Sequence, residues 1–246
     1  MRLTIVGCAG SYPSKDSPAS CYLVEHEGHR LLLDLGNGAI GAVQKYADIY
    51  DIDAVVISHL HVDHCIDLCS YYVARKYHPG GPLPRIPVLG PEGTADRMAS
   101  AYDLPDETGM HEEFEFRDHV DSTQIGPFGI RTVRVDHPVP AYAIRVDAGG
   151  RSLVYSGDTG PTQSLIDLAT GADLALFEAS FLEGRDNPPH LHLTALQAAD
   201  HATAAGVNRL VLTHLVAWND PQDPLAEAAS YVGDLSIASP GTTYEI

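Results

Sequence analysis

Three histidines and one aspartate lie close together in the chain, as His59, His61, Asp63 and His64. On an extended backbone, side chains two positions apart point to the same side, so we expect residues 59, 61 and 63 to share a face. His64 then points elsewhere, and one short segment can reach two points in space. Imidazole nitrogen and carboxylate oxygen bind zinc and also suit manganese or iron. The pattern therefore predicts ligands for two metal ions.

An apolar run precedes this segment, and similar runs precede three other polar residues. Residues 53–57 have the composition of a buried strand that ends just before the histidines. His137, Asp158 and His214 each follow a predicted strand in the same way. Rigid strands present functional groups on the loops at their ends. Four such strand ends together with a dense histidine cluster predict a metal site.

The predicted elements are mixed in order along the chain. Strands are predicted at residues 3–7, 21–25, 30–35, 53–57, 87–89, 112–116, 128–135, 142–146, 152–155, 174–177, 210–212 and 242–245. Helices are predicted at residues 39–46, 65–77, 93–102, 163–169, 194–205 and 225–232. This order favours two facing sheets with helices outside over a single doubly wound sheet. We predict an α/β (α+β) fold that forms one domain over residues 1–246.

The composition is acidic, and this bears on possible partners. The chain has 246 residues, with 15 Lys and Arg against 33 Asp and Glu, and a formal net charge of -18. This length is enough for a sizeable core. A negative charge works against long-range attraction of a polyanion such as RNA.

The cysteines and the N-terminal segment bear on location. Cys8, Cys21, Cys65 and Cys69 form neither a Cys-x-x-Cys pattern nor a disulfide framework, so we predict reduced thiols. The chain opens on a strand-like segment without the features of a signal peptide, and no run is long enough to cross a bilayer. We therefore expect a cytoplasmic protein without a membrane partner.

The segment at residues 58–64 resembles the signature of the metallo-β-lactamase-fold hydrolases, and more closely that of their ribonuclease Z-type phosphodiesterase branch. The resemblance covers nearly the whole chain. It implies a four-layer αβ/βα sandwich of two mixed β-sheets, with helices on the outer faces and the metal site at one edge. A homodimer is expected from the family alone.

The resemblance also implies a ligand set for two divalent metal ions, with Zn²⁺ as the leading candidate and Mn²⁺ or Fe as alternatives. The implied ligands are His59, His61 and His137 for one ion, Asp63, His64 and His214 for the other, and Asp158 as the bridge. True metallo-β-lactamases commonly have a cysteine at this bridging position. The aspartate here favours a binuclear hydrolase such as a phosphodiesterase, glyoxalase II or lactonase.

A catalytic pair, Glu178 and His192, is implied in the same way. Residues 177–180 resemble the family's His-Glu-Ala-Thr segment, with phenylalanine at its first position, and residues 192–199 resemble its histidine segment and following helix. In ribonuclease Z-type enzymes this histidine, oriented by the glutamate, meets the phosphate and assists the leaving group. A carboxylate on one imidazole nitrogen fixes which nitrogen carries the proton.

Other residues leave alternatives open. His190 lies near His192 in the chain and could compete for its role, and Asp63 is predicted as a catalytic residue as well as a ligand. Asp34 closes a predicted hairpin. The family has an aspartate at this place that supports the metal site, and the alternative role for Asp34 is turn capping. The remaining histidines have no supporting spacing and are predicted to be surface or structural residues: His26, His29, His78, His111, His119 and His201.

One departure from the family bears on the substrate. Members that process tRNA carry an inserted exosite arm between the counterparts of His137 and Asp158, but only 20 residues separate the two here. Together with the charge, this argues against tRNA and against long nucleic acid in general. The compact form and the loop at residues 10–20 resemble an actinobacterial-type branch associated with cyclic-nucleotide phosphodiesterase activity.

We therefore predict a binuclear metal-dependent phosphodiesterase that acts on a small anionic phosphodiester, with 3′,5′-cyclic AMP as the leading candidate. A metal-bridging hydroxide would attack phosphorus, and His192 would assist the departing oxygen. The alternatives are a tRNA 3′-end endonuclease and a lactone or thioester hydrolase with the same metals. A non-enzymatic metal-binding or regulatory protein is a further alternative, which the complete ligand set disfavours.

Overall fold

The computed structural model describes residues 1–104, 109–220 and 222–246. The strands are β1 (Arg2–Gly7), β2 (Cys21–His26), β3 (His29–Leu33), β4 (Ala54–Val56), β5 (Ile86–Gly90), β6 (Phe114–Asp118), β7 (Ser122–Ile125), β8 (Phe128–Arg134), β9 (Tyr142–Ala148), β10 (Arg151–Tyr155), β11 (Leu174–Glu178), β12 (Arg209–Thr213), β13 (Asp234–Ile237) and β14 (Thr243–Glu245). The helices are α1 (Ala39–Val43), α2 (Val62–Cys65), α3 (Asp67–Lys76), α4 (Thr94–Ala101), α5 (Gln163–Ala169), α6 (Ala195–Ala204) and α7 (Gln222–Glu227). A short 3-10 helix spans Ile49–Asp51.

The described strands form two seven-stranded sheets. The first has the order β14-β1-β2-β3-β4-β5-β6 and the second the order β13-β12-β11-β10-β9-β8-β7. In both sheets the pairing is antiparallel at one end and parallel at the other: β3 to β6 are parallel in the first, and β10 to β13 in the second. The two sheets therefore have the same arrangement of strands, although the sequence shows no repeat.

Three groups of buried apolar side chains define the layers. One group lies between the sheets and takes residues from both, including Ile5, Val56 and Val146. A second group lies on the outer face of the first sheet, beneath α1, α3 and α4, and a third on the outer face of the second sheet, beneath α5 and α6. The predicted fold of two mixed sheets with helices on the outer faces is confirmed.

Several predicted element boundaries are wrong. Strands β7 and β13 were not predicted at all, and α1 ends at Val43 instead of continuing to residue 46. Helix α7 spans Gln222–Glu227, whereas the sequence predicted residues 225–232. Its earlier start includes Pro224, which fits the first turn of a helix because the N–H groups there need no helical partner.

Two further expectations can be compared with the structure. All four cysteines are free thiols, and three of them are buried: Cys8, Cys21 and Cys65. In the part of the chain that the structure describes, none of the helices has both the length and the apolar character needed to cross a bilayer.

Candidate metal centre

The polar residues that follow the strands meet at one edge of the sheet pair. His59 follows β4, and His137 follows β8. Asp158 and His214 follow β10 and β12, which lie on either side of β11 in a parallel arrangement. The carboxyl ends of parallel strands meet at the same edge of a sheet, where ligands bind in open α/β folds. Both sheets therefore contribute buried ionisable groups to one place.

One group of potential ligand atoms, here called the first cluster, comes from His59, His61, His137 and Asp158, and these atoms all lie within 4.8 Å of one another. The Nδ1 atom of His61 is 3.0 Å from His59 Nε2 and 3.3 Å from His137 Nε2. Asp158 Oδ2 is 3.6 Å from His59 Nε2. Four ligands at about 2.0–2.1 Å around one zinc ion stand roughly 3.3 Å apart, so these separations suit a single ion.

The second cluster comprises Asp63, His64, Asp158 and His214 and meets the same 4.8 Å limit. The Nε2 atom of His214 is 3.2 Å from both His64 Nε2 and Asp63 Oδ2. Asp158 Oδ1 is 3.2 Å from His64 Nε2 and 3.5 Å from His214 Nε2. This group offers two imidazole nitrogens and two carboxylates, again at separations that suit one ion.

Asp158 belongs to both clusters and divides its two carboxylate oxygens between them. Its Oδ2 atom faces His59, and its Oδ1 atom faces His64 and His214. Oδ1 is buried and accepts no hydrogen bond. A buried carboxylate oxygen without a donor is costly unless a cation satisfies it. The residues present therefore fit bound metal.

The local backbone explains how neighbouring residues reach different clusters. Helix α2 begins at Val62 directly after His61, which adopts an extended conformation. The helical turn carries Asp63 and His64 together into the second cluster, whereas His59 and His61 remain in the first. The expectation that residue 63 shares a face with 59 and 61 is wrong, because the extended backbone ends before residue 62.

Groups outside the clusters hold three of the imidazoles in place. The Nδ1 atom of His137 donates to the Leu191 carbonyl at 2.9 Å. Ser180 Oγ donates to the backbone carbonyl of His214 and accepts from its Nδ1 atom at 2.7 Å. His64 Nδ1 lies 2.7 Å from Asp34 Oδ2. Each bond leaves Nε2 of that ring as the nitrogen that can bind metal, which is the usual arrangement around metal-binding histidines.

Asp34 is the most heavily bonded of these orienting groups. Its carboxylate accepts from the backbone N–H of Ser58 at 2.6 Å, the Ser58 hydroxyl at 2.8 Å and the Tyr155 hydroxyl at 2.7 Å, in addition to His64. The residue is fully buried and has a left-handed φ of 57°. Of the two alternatives for Asp34, support of the metal site and turn capping, its contact with His64 favours the first.

The protonation states differ between the two clusters. In the second cluster, burial acts to lower the pKa of His64, but Asp158 and Asp34 outweigh it and raise that pKa well above its ordinary value, so a bound metal ion would displace this proton. In the first cluster, the protonation states suit metal binding directly. Burial lowers the pKa of His59 well below its ordinary value, and also lowers the pKa of His61 and of His137. These rings are therefore neutral at about pH 7, with lone pairs available to a metal ion. Burial acts to raise the pKa of Asp158, but His214 and His64 outweigh it and hold that pKa well below its ordinary value.

Glu178 and His192 lie beside both clusters. Glu178 ends β11, and its Oε1 atom accepts from His192 Nδ1 at 2.9 Å and from the Thr159 N–H at 2.8 Å. His192 Nδ1 is also 3.9 Å from Asp158 Oδ2. Burial acts to lower the pKa of His192, but Glu178 outweighs it and raises the pKa to about 9. His192 is therefore an oriented, protonated imidazole next to the metal ligands.

His190 occupies a different position from His192. Its side chain is 73% exposed, and its Nδ1 atom is 2.7 Å from Asp136 Oδ2. The predicted leaving-group acid is the histidine that Glu178 orients, and Glu178 contacts His192. The structure thus separates the two histidines that the sequence left as competitors.

A family model described as a β-lactamase superfamily domain matches residues 29–215, a span that contains both clusters and the Glu178–His192 pair. The chain belongs to the metallo-β-lactamase superfamily. The match, the fold and the His/Asp clusters together show a metallo-hydrolase.

Three relatives place this metallo-hydrolase within the superfamily. An uncharacterized protein of Mycobacterium leprae (strain TN) is 39% identical over 256 residues, which cover 100% of this chain and 89% of the relative. Ribonuclease Z of Mycolicibacterium gilvum is 30% identical, with 90% of this chain and 86% of that enzyme covered. The crystal structure of the metallo-β-lactamase fold protein YhfI from Bacillus subtilis matches with a TM-score of 0.91 at 26% identity, covering 100% and 99% of the two chains. The chain fits the ribonuclease Z-like branch.

The structure brings together all of the residues that the sequence predicted for this metallo-hydrolase site. The seven predicted ligands lie in the two clusters, and the two predicted catalytic residues that are not ligands lie beside them. Among the described residues, none of the six histidines predicted to lie outside the site belongs to a potential metal group. The role of the seven residues as metal ligands stays a prediction. Catalysis by Asp63, His192 and Glu178 also stays a prediction.

Sequence reasoning missed several supporting residues. Ser58, Tyr155 and Ser180 contact Asp34 or His214 through their hydroxyl groups. Two of them had a usable signal, because Ser58 precedes the first metal-site histidine and Ser180 lies two positions after Glu178. Tyr155 had none, since its contact with Asp34 joins residues 121 positions apart.

Proposed function

We propose that this metallo-hydrolase is a binuclear phosphodiesterase that acts on a small phosphodiester, with 3′,5′-cyclic AMP as the leading candidate. The observation that carries the proposal is the position of Asp158, whose two oxygens face two separate sets of ligands. Two metal ions a few ångströms apart suit the displacement of an alcohol from a phosphodiester, because they stabilise both the attacking and the leaving oxygen. Zinc is the proposed ion, with manganese or iron as alternatives.

The chain's own residues supply the rest of the proposed reaction. Bound divalent ions would supply an acidified water and positive charge for the phosphoryl oxygens. The water oxygen forms a bond to phosphorus, the bond from phosphorus to the 3′ oxygen breaks, and the departing oxygen takes a proton. His192 is the proposed donor of that proton, since Glu178 occupies its Nδ1 atom and leaves Nε2 to meet a substrate. Asp63 is proposed to act as a ligand whose carboxylate stays ionised.

A small substrate is favoured over RNA by the segment between His137 and Asp158. This segment contains β9 and β10, joined by Gly149 and Gly150 in left-handed conformations. The hairpin accounts for most of its length, in agreement with the sequence prediction that no exosite arm is inserted there. The formal charge of -18 adds to this, because a long polyanion is repelled at low salt.

A tRNA 3′-end endonuclease is the second candidate. It is favoured by the 30% identity to the ribonuclease Z of Mycolicibacterium gilvum over most of both chains. The two candidates share the metal ligands and differ in what holds the rest of the substrate. A lactone or thioester hydrolase could use the same ligands, but the Glu178–His192 pair suits an alkoxide leaving group that needs a proton.

The test combines metal content with parallel substrate assays. Protein purified without chelators should contain about two equivalents of transition metal and hydrolyse 3′,5′-cyclic AMP faster than a precursor tRNA or a lactone. The Asp158→Ala variant should lose metal and activity while remaining folded. His201→Ala is a matched control, since His201 is a buried histidine that bonds Thr162 and Gln197 away from both clusters. A fully loaded protein with one ion, or one whose best substrate is precursor tRNA or a lactone, would contradict the proposal.

A further inference from the structure

Two aromatic side chains are exposed beside the metal centre. Tyr12 is 43% exposed, and Trp218, the single tryptophan of the chain, is 64% exposed. Their ring centroids are 5.8 Å apart, with an angle of 36° between the ring planes. Leaving a large aromatic surface in water forfeits the stabilisation that burial would give. Two neighbouring exposed aromatic rings offer a flat apolar surface that a ligand can cover.

Backbone contacts join both aromatic loops next to His214 of the second cluster. The backbone nitrogen of Ser11, the residue before Tyr12, lies 3.4 Å from His214 Nε2, so the Tyr12 loop reaches the edge of the second cluster. The Gly10 N–H donates to the Leu215 carbonyl at 3.0 Å. A Cβ atom on Gly10 would lie 2.5 Å from the His214 carbonyl oxygen, so this close approach of the two loops requires glycine.

The Trp218 loop is held from its other side as well. The side-chain amide of Asn219 is 3.4 Å from the Ser180 carbonyl oxygen, and the Ser180 hydroxyl bonds His214. Arg185 donates to the side-chain oxygen of Asn219 at 2.8 Å. The aromatic pair is therefore carried by two loops whose backbones converge on one metal-cluster histidine, next to the second cluster.

We propose that Tyr12 and Trp218 form the subsite that binds the base of a nucleotide substrate, with the indole of Trp218 as the stacking surface and Tyr12 as its support. The inference rests on the proposed phosphodiesterase function and specifies its substrate class as nucleobase-bearing diesters. A phosphodiester held at the clusters must extend its remaining groups over the adjoining surface. Aromatic side chains stack on nucleobases of any sequence, because every base has a flat π face.

The charge of the protein favours recognition by stacking over recognition by cations. The chain has 15 basic residues against 33 acidic ones, so a general electrostatic attraction to the substrate is absent at a distance. The site can attract the phosphate locally, but the base of a nucleotide is uncharged. A flat apolar surface that contacts the base adds affinity without adding positive charge.

The kinetic test compares substrates with and without a base. Trp218→Ala should raise the KM for 3′,5′-cyclic AMP about tenfold, as loss of one base–aromatic stacking contact typically does, and should leave kcat nearly unchanged. Trp218→Phe should recover part of the affinity. The same variants should leave the KM unchanged for methyl riboside 3′,5′-cyclic phosphate, which keeps the ring and the phosphate but lacks the base. Tyr77→Ala is the control, because Tyr77 is 69% exposed at the far end of α3.

A binding test gives a readout that does not depend on turnover. Trp218 is the only source of tryptophan emission, so adenosine monophosphate added to the metal-loaded protein should quench its fluorescence saturably. Ribose phosphate without a base should not. Metal content measured in the same preparations should be equal in wild type and Trp218→Ala.

The two proposals can fail separately. Hydrolysis of cyclic AMP with an unchanged KM in Trp218→Ala and no quenching by the monophosphate would overturn the base subsite and leave the phosphodiesterase function standing. Quenching by the monophosphate without turnover of any phosphodiester would instead remove the proposed function. If the emission of Trp218 changed with protein concentration and Trp218→Ala dissociated a dimer, the aromatic pair would be an interface between two copies, and the subsite would be wrong.

Discussion

Replacing His192 with alanine tests the proposed mechanism most directly. His192 lies outside the two four-residue clusters, so we expect the variant to retain its metals. Its imidazole is held on two sides, by Glu178 at 2.9 Å and by the edge-on ring of Phe181 at 5.0 Å between centroids. Its pKa, which Glu178 raises to about 9 against the effect of burial, keeps the oriented imidazole in the acidic form that a proton donor needs at neutral pH.

The expected loss follows from that position. General acid catalysis typically contributes about 10²–10⁴-fold, so kcat on 3′,5′-cyclic AMP should fall by a factor in this range while KM changes little. The loss should be much smaller for an activated aryl diester, because p-nitrophenolate leaves without protonation. Glu178→Gln should show the same pattern more weakly, since the glutamate acts by orienting the ring.

The assay measures kcat on both diesters, with metal content determined in the same preparations. His190→Ala is the matched control, because His190 is exposed and bonds Asp136 instead of Glu178. Equal losses on the two substrates would refute the leaving-group role. Loss of metal in His192→Ala would show that His192 is a ligand, and the close approach of Glu178, His192 and His214 is compatible with that role. A large loss of kcat in His190→Ala would show that His190 is the acid.

An orienting group, the pH profile and the size of the substrate give three further tests. Asp34→Asn should weaken metal binding by about 10–100-fold, because it disturbs the partner of His64 Nδ1; competition with a chelator measures this, and an unchanged affinity would contradict it. The folded-state pKa of His192 is raised, so its acidic form is lost as pH rises through about 9; kcat should fall there, and the fall should move to lower pH in Glu178→Gln. If Glu178→Gln left the pH profile unchanged, titration of His192 would not be the cause of the fall in kcat. Precursor tRNA should be cleaved more slowly than any small phosphodiester at physiological salt, and the reverse order would support the endonuclease.

The metal ligands could be found from the sequence because they follow apolar strands. Asp158 and His214 are each preceded by a run of buried residues, and His137 follows a strand in which buried and more exposed residues alternate. The fold brings those strand ends to one edge. The grouping of the ligands could not be derived from spacing alone. The alternation of side chains ends at Val62, because a helix begins there. The residues from His59 to His64 did not lead us to predict that helix.

The two strands missed by sequence reasoning have a common cause. Strands β7 and β13 are the two edge strands of the second sheet, and each has a single neighbour. Most of their residues are exposed or half-buried, with Ile125 the buried exception. A strand this short and this exposed gives a weak sequence signal: β7 has one apolar residue and β13 has two, Leu235 and Ile237. The position of such a strand depends on the neighbouring strand more than on its own sequence.

Contacts between the two sheets set the geometry of the metal centre, and a sequence cannot show them. Tyr155 of the second sheet bonds Asp34 of the first, which in turn orients His64. In the opposite direction, Tyr22 of the first sheet bonds the Thr213 hydroxyl of the second at 2.8 Å, one residue before His214.

The rings of Tyr22 and Tyr155 also pack against each other, with centroids 4.9 Å apart in the fully buried core. Since both second-cluster histidines depend on a tyrosine from the opposite sheet, the distance between them is a property of how the sheets pack. A substitution that shifted one sheet against the other would alter this distance even though every predicted ligand residue was retained. The buried tyrosines therefore couple the packing of the core to the chemistry at its edge.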